Sequence, residues 1–318
     1  MNNTNRVFGT VVILNLLWAP VNLMIGLAKG NGFSAMGIGC VRWVSLSCLL
    51  TLLLRFGGFR RFSSYQSMPR ADWLRCLTIG ILMFGPAHLL YYASIGLTSE
   101  VEGSVLLSTT PLWIAIISFF LLKGEHMTTK RWVAIFLSFV GAYIVAVGFK
   151  FPDMLGHSKG NLMFGAGVLI ECLMAVLAAK ISRRTSGVSV LVGQMWGGTI
   201  AFLLAAVVLR GPLPFVVPTF SVAAYMPMFY LIFISGIITF TIWYRIVETS
   251  PLTLLSVVIG IQPPVAALLN WLVYHTAPTT NSIIGATIIF AALLIGFIGE
   301  RSSLDPNPDS ISEPLLAK

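Results

Sequence analysis

The stretch Asn161–Ile181, with the sequence NLMFGAGVLIECLMAVLAAKI, decides the fold class of this chain. It is almost wholly apolar, and about 20 residues are enough for a helix that crosses the ~30 Å hydrocarbon core of a bilayer. One acidic residue, Glu171, lies near its middle. A bilayer tolerates an ionisable side chain only where it is paired or faces a watery cavity. The stretch therefore predicts a membrane-spanning helix in which Glu171 is either paired or faces a watery cavity.

Nine more apolar stretches of similar length accompany it along the chain. Hydrophobic residues make up 57% of the sequence and charged residues 10%, whereas a soluble domain has about 25% charged residues. Read in windows of roughly 20 residues, the sequence predicts an all-α, integral membrane protein with ten transmembrane helices. The predicted spans are Val7–Ala28, Phe33–Phe56, Trp73–Leu97, Val101–Leu122, Trp132–Phe149, Asn161–Ile181, Val188–Leu209, Val222–Ile246, Leu252–Tyr274 and Ile283–Gly299.

The basic residues gather on one side of these ten spans. With the N-terminus inside, the cytoplasmic side receives fifteen of the twenty Lys and Arg residues. The opposite side receives Lys29, Lys150, Lys159 and Arg210, and Arg42 is left within a span. This bias is the positive-inside pattern, so it predicts that both termini are cytoplasmic. It also accounts for the net charge of +9 without a nucleic-acid partner.

The sequence lacks the motifs of the common enzyme classes. It has no Walker A loop, no HExxH and no GxSxG, and its four cysteines form no CxxC pair. We therefore expect no metal, no cofactor and no enzymatic activity. Glu100 and Glu102 stand two positions apart in a predicted external turn, and we interpret them as parts of a solvated loop.

An internal repeat relates the two halves of the chain. Three residues recur 152 positions later, with Tyr92, Ser104 and Pro111 corresponding to Tyr244, Ser256 and Pro263. The repeat predicts two five-helix units, 7–149 and 161–299, and an odd number of helices makes the units enter the membrane in opposite directions. Inverted repeats are typical of transporters that hold a substrate near the midplane between the halves. The remaining segment, 300–318, is predicted to be a disordered cytoplasmic tail.

Several short motifs resemble those of one known family. They are Leu121-Leu122-Lys123-Gly124-Glu125, the Arg131-Trp132 start of the fifth span with Gly141, Trp18-Ala19-Pro20 with Asn22, Arg42-Trp43, and Gln194-Met195. Together with the Pro111 and Pro263 helices, they resemble the EamA-type transporters of the drug/metabolite transporter superfamily over residues 7–299. The resemblance implies ten helices, both termini inside, and movement of small metabolites, often outward, without ATP.

The sequence departs from that family pattern at two places. The second-half loop Tyr274-His275-Thr276-Ala277-Pro278 lacks the glutamate of the first-half motif. Glu171 also stands where the family commonly has an aromatic residue, so its role is not supplied by the resemblance.

Glu171 and Arg42 are the two strong charges inside predicted spans. Glu171 lies ~16 Å into the sixth span at 1.5 Å per residue, where a carboxylate that exchanges a proton for a cation can couple two fluxes. Arg42 can hold a substrate carboxylate through two parallel hydrogen bonds. One alternative is that the two residues form a buried structural ion pair. For Arg42, others are that its charged end extends towards the membrane surface, or that it has the structural or gating role that the family resemblance favours.

Seven further residues complete the predicted substrate site, namely His88, Tyr92, Asn22, Gln262, Trp243, Tyr244 and Gln194. His88 shares a helical face with Tyr91 and Tyr92 and is suited to relaying protons. Asn22 and Gln262 stand beside prolines that should break their helices and expose backbone groups towards a cavity. For His88 and Gln194, as for Asn15, the alternative is a hydrogen bond that packs helices together.

These features favour a secondary active transporter, most simply an exporter, of a small organic metabolite. An amino-acid-like substrate fits best, because Arg42 and Glu171 offer partners for a carboxylate and an ammonium group. Efflux of cationic or aromatic drugs is the alternative, and a non-transporting membrane enzyme or scaffold is a third. Phosphorylated sugars fit poorly because the ninth and tenth spans contain no Lys or Arg. We expect a monomer or homodimer in a lipid bilayer, which for this pattern is the bacterial inner membrane.

Overall fold

A computed structural model describes most of the chain as helices joined by short connections. The described residues are 3–56, 68–94, 97–98, 100–122, 127–149, 155–209, 215–275 and 277–304. No strand occurs within these ranges, so the all-helical prediction is confirmed for them.

Within the described residues, the first half of the chain contains eight α-helices. They are α1 (Asn3–Trp18), α2 (Val21–Gly30), α3 (Ala35–Arg55), α4 (Arg70–Leu82), α5 (His88–Ser94), α6 (Glu100–Ser108), α7 (Thr110–Leu121) and α8 (Thr129–Val147). A π-helical stretch, Met83–Ala87, joins α4 to α5 and contains Pro86.

Seven α-helices lie in the described part of the second half. They are α9 (Ser158–Ser182), α10 (Gly187–Val208), α11 (Val222–Phe229), α12 (Thr239–Thr249), α13 (Leu252–Ile259), α14 (Gln262–Tyr274) and α15 (Thr280–Leu304). A second π-helical stretch, Tyr230–Ile238, joins α11 to α12. Because α15 continues to Leu304, the first residues of the predicted disordered tail are helical. The rest of that tail, 305–318, lies outside the described residues.

Seven helical segments within the described ranges are long and apolar enough to cross a bilayer. They are Gly9–Gly30, Ala35–Arg55, Arg70–Tyr91, Thr129–Val147, Ser158–Ser182, Gly187–Val208 and Val222–Thr249. Shorter apolar helices, Val105–Leu121 and Thr280–Gly296, occupy the predicted fourth and tenth spans. The predicted ninth span is divided between α13 and α14.

Proline breaks two of the predicted spans, as the sequence indicated. α1 ends before Pro20, which has no N–H to continue the helical ladder, and the hydroxyl of Tyr230 donates to the carbonyl of Leu17 at 2.7 Å. α14 begins with Pro263 and Pro264 in its first turn, where a missing N–H costs least. Each break therefore leaves backbone groups at mid-span that other helices can reach.

Two apolar cores fill the bundle, and α9 lies between them. Met174 and Ala178 of α9 belong to the core around α3, α4 and α10. Cys172 and Val176 of α9 belong to the core around α7, α8, α13 and α15. This position makes α9 the element that places Glu171 at the seam between the cores.

The helices approach most closely where glycine replaces a side chain. At the crossing of α8 and α15, a Cβ on Gly141 would lie 2.8 Å from the carbonyl oxygen of Gly285, and one on Gly285 would lie 2.6 Å from that of Gly141. Both distances are below van der Waals contact. Backbone-to-backbone packing of this kind is typical of helix pairs in membranes.

Glu102 is buried, so its interpretation as a solvated loop residue was wrong. It is 3% exposed and lies 3.2 Å from Nδ1 of His157. The hydroxyl of Thr98 also lies 3.3 Å from its carboxylate. Segments that are far apart in the sequence fold over this carboxylate, and the local turn pattern carries no signal of them.

Candidate functional site

Glu171 is held at the seam by one tyrosine. The hydroxyl of Tyr91, in α5, donates to Oε2 of Glu171 at 2.8 Å. The ring of Tyr91 packs on Phe164 with 5.0 Å between ring centroids, and Gly167 leaves room for that ring. This hydrogen bond fixes the position of the Glu171 carboxyl group. Glu171 is only partly buried, so it can also meet a second partner.

His88 connects Tyr91 to a second aromatic group. Its Nδ1 lies 3.0 Å from the carbonyl oxygen of Met83, and because a carbonyl only accepts, Nδ1 is the nitrogen that carries the proton. This bond falls at the π-helical stretch around Pro86, where the regular ladder is interrupted. The imidazole contacts Tyr91 at 5.8 Å and Trp43 at 6.4 Å between centroids.

Arg42 lies on the other side of Trp43. Its guanidinium carbon is 5.0 Å from the centroid of the Trp43 ring, which is the range of a cation–π contact. Its Nη2 is 3.2 Å from Oγ of Ser235, in the second π-helical stretch. The indole N–H of Trp18 donates to the carbonyl oxygen of Ser235 at 3.2 Å. Ser235 therefore joins α1 and α3 to the eighth predicted span.

Trp243, in the eighth predicted span, extends this aromatic wall. Its ring packs edge-to-face on Trp18 with 5.3 Å between centroids, and Trp243 contacts both apolar cores. It is partly exposed, as are Arg42, His88 and Glu171. These four predicted residues thus belong to one continuous set of contacts, which runs from Trp243 through Arg42 and His88 to Glu171.

Arg42 and Glu171 have different hydrogen-bonding partners. The carboxylate of Glu171 is bonded by Tyr91 and the guanidinium of Arg42 bonds Ser235, and the described residues show no ion pair between the two. The alternative of a buried ion pair is therefore wrong for this conformation. The site offers a positive and a negative group at separate places along an aromatic wall.

Gln262 stands at the break between α13 and α14 and bonds the first helix. Its Nε2 donates to Oδ1 of Asn15 at 2.8 Å, and Nδ2 of Asn15 donates to the carbonyl oxygen of Val11 at 2.9 Å. Asn15 therefore acts as a helix-packing residue, in line with the interpretation from sequence. Gln262 is partly exposed at the broken helix.

Tyr244 and Gln194 form a separate, buried pair. The hydroxyl of Tyr244 donates to Oε1 of Gln194, and the two residues are 6% and 0% exposed. Nε2 of Gln194 has no hydrogen-bond partner within the described structure. In this conformation the pair joins α10 to α12 and is closed to a substrate.

Some of the site falls outside the described residues, and some was not predicted. The side chains of Asn22 and Tyr92 lie outside the described part of the structure. Tyr91 and Trp18 appeared in the sequence patterns but were not chosen as site residues. Ser235 had no sequence signal at all, because an isolated serine in an apolar helix is common.

Two sizeable grooves open on the outer surface rather than at this site. One, of about 470 Å³, is lined by α14 and α15, and the other, of about 570 Å³, by α4 and α9. Neither is lined by Arg42 or Glu171. The chemistry of the contacts, and not the size of these grooves, identifies the candidate site.

Known proteins match this chain along most of its length. A family model described as the EamA-like transporter family matches residues 7–147 and 158–298. The uncharacterized transporter YetK of Bacillus subtilis is 25% identical over 224 residues, covering 70% of this chain and 66% of YetK, slightly less than two thirds of that relative. Protein PecM of Dickeya dadantii is 25% identical over 236 residues, covering 72% of this chain and 76% of PecM.

A solved crystal structure also shares the fold. It superposes with a TM-score of 0.76 at 17% sequence identity, covering 95% of this chain and 99% of the other. At that identity the likeness concerns the fold alone.

Proposed function

The chain belongs to the EamA-like transporter family, and we propose that it is a secondary transporter that exports an amino-acid-like metabolite. Three of its relatives from Bacillus subtilis, YetK among them, are named as uncharacterized transporters. Its apolar helices make it a multi-pass membrane protein. The substrate, the direction of flux and the coupling ion are parts of the proposal.

Two inverted five-helix repeats are the architecture we propose. The family model matches the chain twice, and the predicted fourth and ninth spans are both broken, between α6 and α7 and between α13 and α14. Broken helices at corresponding positions of two halves mark substrate sites in transporters of this kind. The proposal places ten spans and both termini on the cytoplasmic side of a bacterial inner membrane.

The separate anchoring of Arg42 and Glu171 is the observation that carries the proposal. An amino acid has one carboxylate and one ammonium group, and each needs a charged partner in a site with little water. Arg42 presents N–H groups in a planar fork that matches a carboxylate. Glu171, held in place by Tyr91, offers a carboxyl group as the partner for an ammonium group.

Glu171 also supports coupling to protons. A proton and the substrate ammonium group would compete for the same carboxylate, so that release of one permits binding of the other. The ring of His88 contacts the ring of Tyr91, which bonds this carboxylate. The Glu171→Gln variant should therefore transport without the pH dependence of the native protein, and an unchanged pH profile would remove the coupling role.

Efflux of cationic aromatic compounds is a second candidate, favoured by the aromatic wall. Trp18 and Trp243 pack edge-to-face beside the site, and flat cations bind well against such rings. A cationic compound would need Glu171 but not Arg42. The two candidates therefore differ in whether transport requires Arg42.

Flux into proteoliposomes separates the candidates. Arg42→Gln should weaken amino-acid transport roughly tenfold to a hundredfold, the effect of losing hydrogen bonds to a charged group, and should spare transport of a cationic dye. Arg55→Gln, which removes an exposed cation at the end of the same helix, is the matched control. Unchanged amino-acid flux in Arg42→Gln would contradict the amino-acid proposal. Absence of flux across a broad metabolite panel, with folded protein, would contradict transport itself.

A further inference from the structure

A groove of about 570 Å³ opens on the outer surface between α4 and α9. Its α4 wall consists of Leu74, Thr78 and Leu82, which recur every four residues and so share one helical face. Leu177 lines the opposite wall on α9. Leu74 is 64% exposed and Leu82 38%, so in a membrane this wall faces hydrocarbon.

Three basic side chains border one end of this groove, namely Arg75, Lys180 and Arg184. Arg75 and Arg184 both donate to Oδ1 of Asp72, at 2.9 Å and 2.5 Å, which brings the two guanidinium groups side by side. Their side chains are 59% and 50% exposed. Asp72 can neutralise only one of the three charges, so this end of the groove stays positive.

The N-terminus of α4 adds to that positive charge, although α9 ends in the same region and its C-terminus carries the negative end of its dipole. α4 begins at Arg70, so the positive end of its dipole points to the same region, where an anion is stabilised. From Leu74 to Leu82 the apolar wall runs ~12 Å into the membrane at 1.5 Å per residue. The groove thus combines a cationic entrance with an apolar floor.

We propose that this groove binds an anionic phospholipid. The phosphate would lie among Arg75, Lys180 and Arg184, and one acyl chain would lie along Leu74 and Leu82. Basic pockets between transmembrane helices on the cytoplasmic side are suited to anionic head groups. A free phosphate would use only the cations, whereas a lipid also accounts for the apolar wall that continues from them.

The placement in the cytoplasmic leaflet rests on the topology proposed above. α4 falls in the first segment matched by the family model and α9 in the second. A lipid in this groove therefore contacts both halves of the molecule. Its occupancy should stabilise the arrangement in which α4 and α9 pack together.

The cationic end is tested by lipid titration of the whole protein in a neutral detergent. Phosphatidylglycerol and phosphatidylcholine with the same acyl chains are compared by melting temperature and by native mass spectrometry. We expect phosphatidylglycerol to raise the melting temperature and to stay bound. Lys180→Gln and Arg75→Gln should each weaken its binding about fivefold, the factor that about 1 kcal/mol per basic side chain represents. Arg55→Gln, on another helix at the same membrane face, should bind as the native protein does.

The apolar wall is tested by filling the groove. Thr78→Trp should displace phosphatidylglycerol, while Leu52→Trp, on the exposed face of α3, should not. Equal effects of the two lipids on the native protein would overturn the proposal. So would a loss of phosphatidylglycerol binding in Arg55→Gln as large as that in Lys180→Gln and Arg75→Gln. Stabilisation by glycerol 3-phosphate as large as that by the lipid would show an anion site and overturn the lipid. Binding is measured without flux, so a failure of the transport proposal is scored separately.

Discussion

At the scale of the residue, the arrangement of two charges decides what this molecule can do. Arg42 and Glu171 could have neutralised each other, yet each bonds a neutral group, Ser235 and Tyr91 respectively. An ion pair would occupy both charges and leave little for a ligand to bind. In this structure the two charges therefore do not neutralise each other.

This arrangement predicts which pairs of residues are energetically coupled. In a double-mutant cycle, Tyr91→Phe and Glu171→Met should show a coupling of about 1–2 kcal/mol. Either single variant already removes the hydrogen bond between the two residues, so the double variant does not lose it a second time. Arg42→Met and Glu171→Met should be additive within about 0.5 kcal/mol. Both couplings are measured by unfolding, in one detergent, the native protein, the two single variants and the double variant of each pair. A coupling between Arg42 and Glu171 as large as that with Tyr91 would contradict the separate anchoring.

The sequence could identify the residues whose charged side chains are energetically costly to place in a membrane. Arg42 and Glu171 stand out because charges in apolar helices are rare, and the structure places both in one network. Ser235 and Tyr91 carry no comparable signal, because serine and tyrosine are ordinary residues of membrane helices. Their roles depend on contacts between segments such as α3 and the eighth predicted span, which a single sequence does not encode in any local pattern.

At the scale of the element, the sequence indicated some of the interruptions in the helices but not others. The interruptions at Pro20 and before Pro263 follow from the missing proline N–H, and the sequence indicated both. The π-helical stretch Tyr230–Ile238 was not indicated, because a π turn inserts a residue into the ladder at a position that packing selects. That stretch carries Ser235, so the missed element and the missed residue have one cause.

The crossing of α8 and α15 gives a sharp test of helix packing. Gly141→Ala should destabilise the protein by about 1–3 kcal/mol, the usual cost of overpacking, because the added Cβ would lie 2.8 Å from a backbone oxygen. Gly26→Ala, in α2, adds a Cβ with nothing within 4 Å and should be neutral or stabilising by up to about 1 kcal/mol. Melting temperatures of the two variants in one detergent make the comparison. Equal effects would mean that the crossing does not depend on glycine.

At the scale of the whole molecule, helix pairing is consistent with two related halves. α8 packs along α15 and α3 along α10, while α4 packs on α9 as α11 packs on α2. Exchanging each predicted span with its counterpart five spans later maps this pattern onto itself. The proposed inverted repeat accounts for such pairing, and two unrelated halves would not require it.

The charge distribution of the second half predicts which ligands the protein does not bind. The predicted ninth and tenth spans contain no Lys or Arg, so nucleotide-sugars and triose phosphates would meet no cation there. A true ligand at a hundredfold excess over its dissociation constant adds about 2.7 kcal/mol of stability, and these compounds should add none. Thermal melts of the purified protein with each compound decide this. Clear stabilisation would show that Arg42 or a basic helix end binds phosphate.

Topology is the prediction on which the proposed architecture depends. If fifteen basic residues lie inside, a fluorescent reporter fused after Lys318 should fold in the bacterial cytoplasm. Alkaline phosphatase inserted after Leu155, which is 85% exposed and lies between the two matched segments, should be active only if that loop is periplasmic. We expect both signals, because five spans separate the loop from either end. A periplasmic signal after Lys318 would leave an odd number of spans between the termini, and two halves of five helices could not then be related by inversion.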